Sequence, residues 1–365
     1  MQRRQHPDSW APYRTWAKRY APPKWDLTAS HVQACTLAEL PGAAEAVDLS
    51  GRNDEGYPPL LRALARRYGV GPDRVTTANG ATGATFLAVA ALVRPGDKVL
   101  VEWPCHDSLA GTVRLLGGEV VDWTREWNEE FALDPDELAR SLTHDITAIV
   151  VTNPHDPTGV YTSKVELLGI EALANAVGAK VVVDEVYLDL LPGVDTTPAA
   201  TLSDVFISVN SLSKSYGLPG LKLGWMLADP VTTERARRVR DVVEGAGSFP
   251  VERMGVVAVG QMDRLLARAR SILEPNFAML AAFVEGRPEL AWVRPAGGTV
   301  AFPRLVGGAD TDDFVRVAYE EFEVGVVPGR LFGQYQGFRI AVGGPHEVLE
   351  GGLEALGKAL DRGTY

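Results

Sequence analysis

The sequence predicts an α/β protein, with a mostly parallel sheet flanked by helices and a smaller α+β domain after it. Three observations predict it. The runs ITAIVVTN and AKVVVDEV are continuously apolar and β-branched, as in strands buried on both faces. From Pro58 onward, strand-like and helix-like runs alternate, which makes neighbouring strands parallel and covers both faces of the sheet. Beyond the long helical stretch 253–285 the pattern changes to short strands (LAWVRP, GTVAFPRL, FRIAVGG) and two helices.

Residues 1–24 carry six basic residues (Arg3, Arg4, Arg14, Lys18, Arg19 and Lys24) against one acid, Asp8. Within them Trp10, Tyr13, Trp16 and Tyr20 form an aromatic stripe at helical spacing, interrupted by Pro12. Such a helix packs its aromatic face on the body or on a partner subunit, or it acts as a lid over a site. PLLRALARRYG reads as a helix ending at Gly69, and DRVTTA as a short strand. NGATGATFLAVAALV turns into a helix, DKVLVEW is a strand, HDSLAGTVRLLG a helix and GEVVDW a strand. DVFISVN is a further strand. No long Gly/Ser/Pro linker separates the two patterns, so the parts should pack tightly.

Composition narrows the function classes. The 365 residues are 46% hydrophobic and 23% charged, ordinary for a soluble globular protein with a large core. The formal charge of −11 disfavours nucleic acid and anionic membrane surfaces as partners. No apolar run approaches the roughly 20 residues of a membrane span, and the basic N-terminus has no apolar stretch of a secretory signal. The two cysteines, Cys35 and Cys105, are too few for a disulfide framework or a cysteine metal site, and no metal is expected. These features lead us to expect a cytoplasmic enzyme.

Four segments at the C-terminal ends of predicted strands carry candidate chemistry, where open α/β sheets place their ligands. Asn79-Gly80-Ala81-Thr82-Gly83 leaves a strand and opens a helix, so its backbone can approach an anion; a plain turn has the same composition. Thr152-Asn153-Pro154-His155-Asp156-Pro157-Thr158-Gly159 is a stiff loop able to fix Asn153, or an ordinary strand-to-helix turn. Val183-Asp184-Glu185-Val186-Tyr187 puts acids at the end of a buried strand. Asp184 there needs a cation, from a salt bridge or from a protonated ligand nitrogen. Ser211-Leu212-Ser213-Lys214 sets a lysine among hydroxyls, suited to a Schiff base with Ser211 and Ser213 on a phosphate, although a surface loop lysine has the same pattern. Lys222 follows in the same loop.

In that order and spacing, the four segments resemble the class I/II aminotransferases, fold-type-I enzymes dependent on pyridoxal 5′-phosphate. The resemblance covers nearly the whole chain, including GYPPLLRALA at 56–65, Val327-Pro328-Gly329 with Phe332-Gly333, and Phe338-Arg339-Ile340-Ala341. It implies that Lys214 carries the cofactor as a Schiff base and later shuttles the substrate Cα proton. It implies Asp184 on the pyridine nitrogen, which keeps the ring an electron sink. Asn153 and Tyr187 would meet the ring's phenolic oxygen. Gly80, Ala81 and Thr82, with Ser211, Ser213 and Lys222, would hold the phosphate. Arg339 would grip the substrate α-carboxylate. The implied organisation is an N-terminal segment (1–45) joining the small domain or a dimer interface, a large cofactor domain (46–275) and a small domain (276–365), in a homodimer.

Three positions depart from the family pattern. Lys222 stands where an arginine is usual. His106, after Pro104-Cys105, stands where an aromatic ring usually covers the cofactor, and imidazole can either stack or act as an acid or base. Gly51 stands where many members extend a tyrosine into the neighbouring phosphate site, leaving Arg52 or Asn53 to complete it. A narrower resemblance, through DLTASHVQACTLAEL, GGTVAFPRL and VVPGRLFGQ, is to the capreomycidine-synthase branch, which eliminates and cyclises on an arginine-derived substrate. It places the loop Thr28-Ala29-Ser30-His31 near the substrate side chain, with His31 as a contact. The expected activity is amino transfer from an L-amino acid to a 2-oxo acid, with a lyase or cyclase as the alternative. A non-catalytic regulator on this scaffold is disfavoured by the intact Lys214, Asp184, Asn153 and Arg339.

Overall fold

A computed structural model describes residues 10–308 and 310–363; Arg3, Arg4 and Asp8 of the basic N-terminal stretch lie outside them. Seven strands form the main sheet: β1 Val75–Asn79, β2 Lys98–Trp103, β3 Glu119–Thr124, β4 Ile146–Thr152, β5 Lys180–Asp184, β6 Phe206–Ser211 and β7 Leu223–Leu227. Their order is β1-β7-β6-β5-β4-β2-β3. All neighbours run parallel except β7, which is antiparallel to both β1 and β6. The β-branched centre is fully shielded: Ile149, Val150, Val151, Val181, Val182 and Val183 are each 0% exposed. That burial on both faces is what the unbroken apolar runs of β4 and β5 require.

The sequence reading did not include β7. Its five residues, LGWML, follow a glycine-rich turn with no alternating pattern, and their partner Ser211 lies only a short loop back, pairing with Gly224. Gly224 is where the sheet meets the helix after β1. That helix, α3 (Gly80–Leu92; α1 being Pro12–Arg19 and α2 Pro58–Tyr68), starts without any linker at the end of β1, with Gly80 at φ 71°. A Cβ on Gly224 would lie 2.3 Å from the Gly80 carbonyl carbon, so only glycine lets β7 pass beneath the helix entrance. α3 is apolar on nearly every side and buries Ala84, Leu87, Ala88 and Val89 beneath the sheet.

The helical stretch 253–285 proves to be two helices, Phe249–Val259 and Met262–Glu285. They part where Gln261 leaves helical geometry at φ −119° and its N–H donates to Ala258 O, a tighter turn than the helix ladder. Pro12 likewise opens α1 instead of interrupting it, since the first turn of a helix needs no N–H there. Toward the C-terminus, Phe338–Ala341 is the centre of a three-stranded antiparallel sheet between Val300–Ala301 and Val327–Pro328, placing Arg339 opposite Val327. Trp25–Asp26 pairs in parallel with Val324–Gly325, which stitches the N-terminal segment to this part of the chain.

Gly224→Ala should drive β7 and the start of α3 apart, because the nearest neighbours of the added carbon are backbone atoms of Gly80 and Ala81. The expected loss is about 3 kcal/mol, the upper end for overpacking, read as a lower midpoint in denaturant or thermal unfolding; an unchanged midpoint would show that the close approach is dispensable.

Candidate active site

The strands deliver the candidate residues to one end of the sheet. Thr152 and Asp184 are register partners across β4 and β5, and Asp184 pairs with Val209 of β6, which runs on into Ser211, Leu212, Ser213 and Lys214. A cavity at this end is lined by Ala81, Thr82, His106, Asp184, Tyr187 and Lys214, together with Arg14, Thr152 and Asp156. Six of the residues expected from sequence therefore share one space. The β-strand ends fix their order, and the loops after them turn the side chains inward.

Lys214 is the chemical centre. Its Nζ donates a hydrogen bond to Ser30 Oγ and lies 5.9 Å from the centre of the Tyr187 ring. Burial pushes the amine down to about 7; Arg339 and Arg14 act the same way, while Asp156 and Asp184 oppose them. Asp184 receives the Val186 N–H at 3.2 Å, and burial raises its carboxyl to about 6. No side-chain cation is hydrogen-bonded to it among the described residues, so it can accept one from a ligand.

His106 faces the cavity as a neutral ring. Burial drives its imidazole down to about 3, against the pull of Asp156. The Ser108 N–H donates to Nδ1 at 3.3 Å, which leaves that nitrogen an acceptor. Burial thus favours the neutral imidazole at the cavity. Tyr13 of α1 stands edge-on against it, with ring centres 5.2 Å apart.

Arg339 reaches the cavity region from the small antiparallel sheet and is 1% exposed. Nη2 donates to the Tyr13 hydroxyl at 2.7 Å, and Nη1 lies 3.4 Å from Asp156 Oδ1. The guanidinium also sits 4.9 Å above the rings of both Tyr13 and Phe332. Burial alone would weaken its charge, but Tyr13 and Asp156 hold it above the ordinary arginine range. Asp156 is fixed in turn, since its N–H donates to Thr152 Oγ1 at 2.9 Å and that hydroxyl donates to the buried Glu102.

Other expected residues make protein contacts. Asn153 is locked to the backbone of Thr162 by two bonds of 2.9 Å, which leaves one Nδ2 hydrogen to offer a ligand. The Tyr187 hydroxyl donates to Ser30 O at 3.0 Å. His31, expected beside the substrate side chain, has its Nδ1 2.8 Å from Val32 O, and the neighbouring Ser30 hydrogen-bonds Lys214. Lys222, at φ 50°, lines an adjacent cavity with Asn79 and Glu244, its side chain reaching within 4.0 Å of the point where a Gly80 Cβ would sit. Asn53 is buried and donates to Gly247 O and Glu252, while the exposed Arg52 pairs with Asp54.

Sequence reasoning gave no role to Ser30, Arg14, Tyr13 or Asp156. Asp156 lay inside a quoted motif as a carboxylate among prolines, and Tyr13 and Arg14 inside the aromatic stripe. Ser30 gave no signal beyond its loop.

The donor set fits a phosphorylated pyridine. The first N–H groups of α3 have no partners in their own helix, and Ala81 and Thr82 of that turn line the cavity. Ser213 Oγ is buried and has no hydrogen-bond partner among the described residues. Asp184 and Lys214 supply a carboxylate for a ring nitrogen and an amine for an aldehyde carbon. These matches agree with comparisons to known proteins. Residues 34–356 match the family described as aminotransferase class I and II. Capreomycidine synthase of Streptomyces vinaceus is 35% identical over 376 residues, covering 97% of this chain and 94% of that one. A PLP-dependent aminotransferase from Streptococcus suis superposes with a TM-score of 0.92 at 28% identity, covering 98% of this chain and 99% of that chain. The PLP-dependent cyclase OrfR superposes at 0.89 with 28% identity and full coverage of both chains, 100% each. The chain thus belongs to the class I and II aminotransferase family, with the fold-type-I architecture and pyridoxal 5′-phosphate as its cofactor.

Proposed function

We propose that the protein is an aminotransferase that moves the amino group of an L-amino acid to a 2-oxo acid, with Lys214 as the cofactor-bearing and proton-carrying amine. The observation that carries this reading is that one cavity is lined by the Lys214 amine, the Asp184 carboxylate at the end of β5, and Asp156, which pairs with Arg339 behind it. When bound, the cofactor holds the substrate nitrogen and draws electrons from the Cα–H bond.

The chain's own groups do the rest. Ala81 and Thr82 N–H groups at the head of α3, with Ser211, Ser213 and Gly80, would hold the phosphate, and Lys222 would add charge from the adjacent side. Asp184 keeps a proton on the ring nitrogen. Asn153 and Tyr187 would meet the phenolic oxygen, and the neutral His106 would cover the ring. Arg339 binds the substrate α-carboxylate; Asp156 and the Tyr13 hydroxyl hold the guanidinium in place for it. Lys214 Nζ would take the substrate Cα proton and later give it back. We read the working unit as a homodimer acting on small molecules, supported by the family and by Leu49, 85% exposed beside the 51–53 segment.

A second reading is favoured by the likeness to capreomycidine synthase and to the cyclase OrfR. The same Cα deprotonation would then expel a substituent of the substrate and lead to elimination or ring closure. Which bond breaks depends on alignment in the pocket.

Adding single amino acids to the holoenzyme without an acceptor separates the two readings. A change in the cofactor's visible absorbance with stoichiometric 2-oxo acid is expected; ammonia release with the original absorbance regained would establish the second reading. Lys214→Ala should lower turnover by about 10⁴-fold or more while phosphate contacts persist, and full activity would overturn the assignment. Asp184→Asn should cost about 10²- to 10³-fold in kcat, the scale of one charge partner at a reacting group. Because the amine sits near 7, lowering the pH through that value protonates the base. The kcat profile should therefore fall on its acid side near pH 7, and a profile flat down to pH 5 would contradict the assignment.

A further inference from the structure

Ser30 touches the amine at the centre of the site, yet the roles given above leave it out. It lies in the loop 28–31, is 8% exposed, and its Oγ accepts from Lys214 Nζ. Its backbone is clamped from two directions. The Ser30 carbonyl accepts from the Tyr187 hydroxyl and from Thr299 Oγ1, both at 3.0 Å. Two residues on, the Val32 N–H donates to the Lys214 carbonyl at 3.2 Å, so the loop carrying the hydroxyl is tied to the loop carrying the amine. Gly343 lets this backbone through, since a Cβ there would stand 2.5 Å from His31 O. A side chain with a single rotatable hydroxyl, fixed at its backbone on both sides, sets a direction for whatever it binds.

We propose that Ser30 is a positioning residue for Lys214, its hydroxyl oxygen accepting a hydrogen bond from Nζ and fixing where the amine points while it carries the substrate proton. The inference rests on the reading of Lys214 as that carrier. Ser30 neither gains nor loses a proton: the proton taken from the substrate Cα stays on Nζ, as an ammonium donating to Oγ, until it is returned. The other groups facing Nζ are the cations Arg339 and Arg14, the carboxylates Asp156 and Asp184, the neutral His106 and the Tyr187 ring. Two cations stand against two carboxylates, and the hydroxyl adds a directed acceptor to that balance. A hydroxyl accepts more strongly from an ammonium than from an amine, so Ser30 favours the charged form of Lys214.

Two readouts test this. In the full-length protein freed of cofactor, acetylation of Lys214 across the neutral pH range, quantified by mass spectrometry, reports the amine's titration directly. In the holoenzyme, the acid side of the kcat profile reports it with substrate bound. For Ser30→Ala, both midpoints should move down by about one pH unit, a tenfold change in proton affinity, with KM changed less than about twofold. Ser30→Thr, which keeps the hydroxyl, should hold both midpoints near the parent values. Circular dichroism and cofactor absorbance verify that each variant is folded. Midpoints in Ser30→Ala that coincide with the parent would overturn the inference, as would Ser30→Thr moving as far as Ser30→Ala. If Lys214 in the parent titrates like a surface lysine, the reading of Lys214 falls as well; if it titrates near neutrality regardless of Ser30, this inference alone falls.

Discussion

A lysine amine can act as a nucleophile and base near neutral pH only if its surroundings make the ammonium expensive. Here burial supplies most of that cost, and the guanidinium groups of Arg339 and Arg14 add to it. Asp156 and Asp184 pull the other way and keep the amine from losing its proton affinity altogether. The architecture serves this balance. Parallel strands set Asp184 beside the loop that carries Lys214, and the antiparallel sheet beyond brings in Arg339 from the other side.

The Arg339–Asp156 pair shows how the site manages its own charges. A buried guanidinium without a partner is costly, and here a carboxylate, a tyrosine hydroxyl and two aromatic faces share it. Tyr13 comes from α1, so the N-terminal aromatic helix is part of the cavity wall. Its backbone N–H also donates to Asp107 at 2.5 Å, next to His106. Of the aromatic stripe, Tyr13 packs on the body of the protein, against His106 and Arg339.

Much of this was legible in the sequence because the signals are local. Continuous Val/Ile runs identify β4 and β5, and the glycine after β1 marks the helix entrance. The order of the Asn153, Asp184 and Lys214 segments carries the family. What was not legible depends on distant parts of the chain meeting. β7 is short and is defined by its neighbours β1 and β6. Ser30 has no pattern of its own and acquires meaning only because Val32, Tyr187 and Thr299 hold it against Lys214. The Nδ1 of His31, the residue of this loop that the resemblance singles out, lies 2.8 Å from Val32 O. His106 could be read as a stacking ring or as an acid, and its burial favours the neutral imidazole.

The account stands on Lys214 as the residue that carries the cofactor, and reductive trapping tests that most directly. Borohydride treatment of the holoenzyme followed by peptide mass spectrometry should place the added cofactor mass on the peptide containing Lys214. The cofactor's mass on Lys222 or another lysine, or no covalent adduct at all, would contradict it.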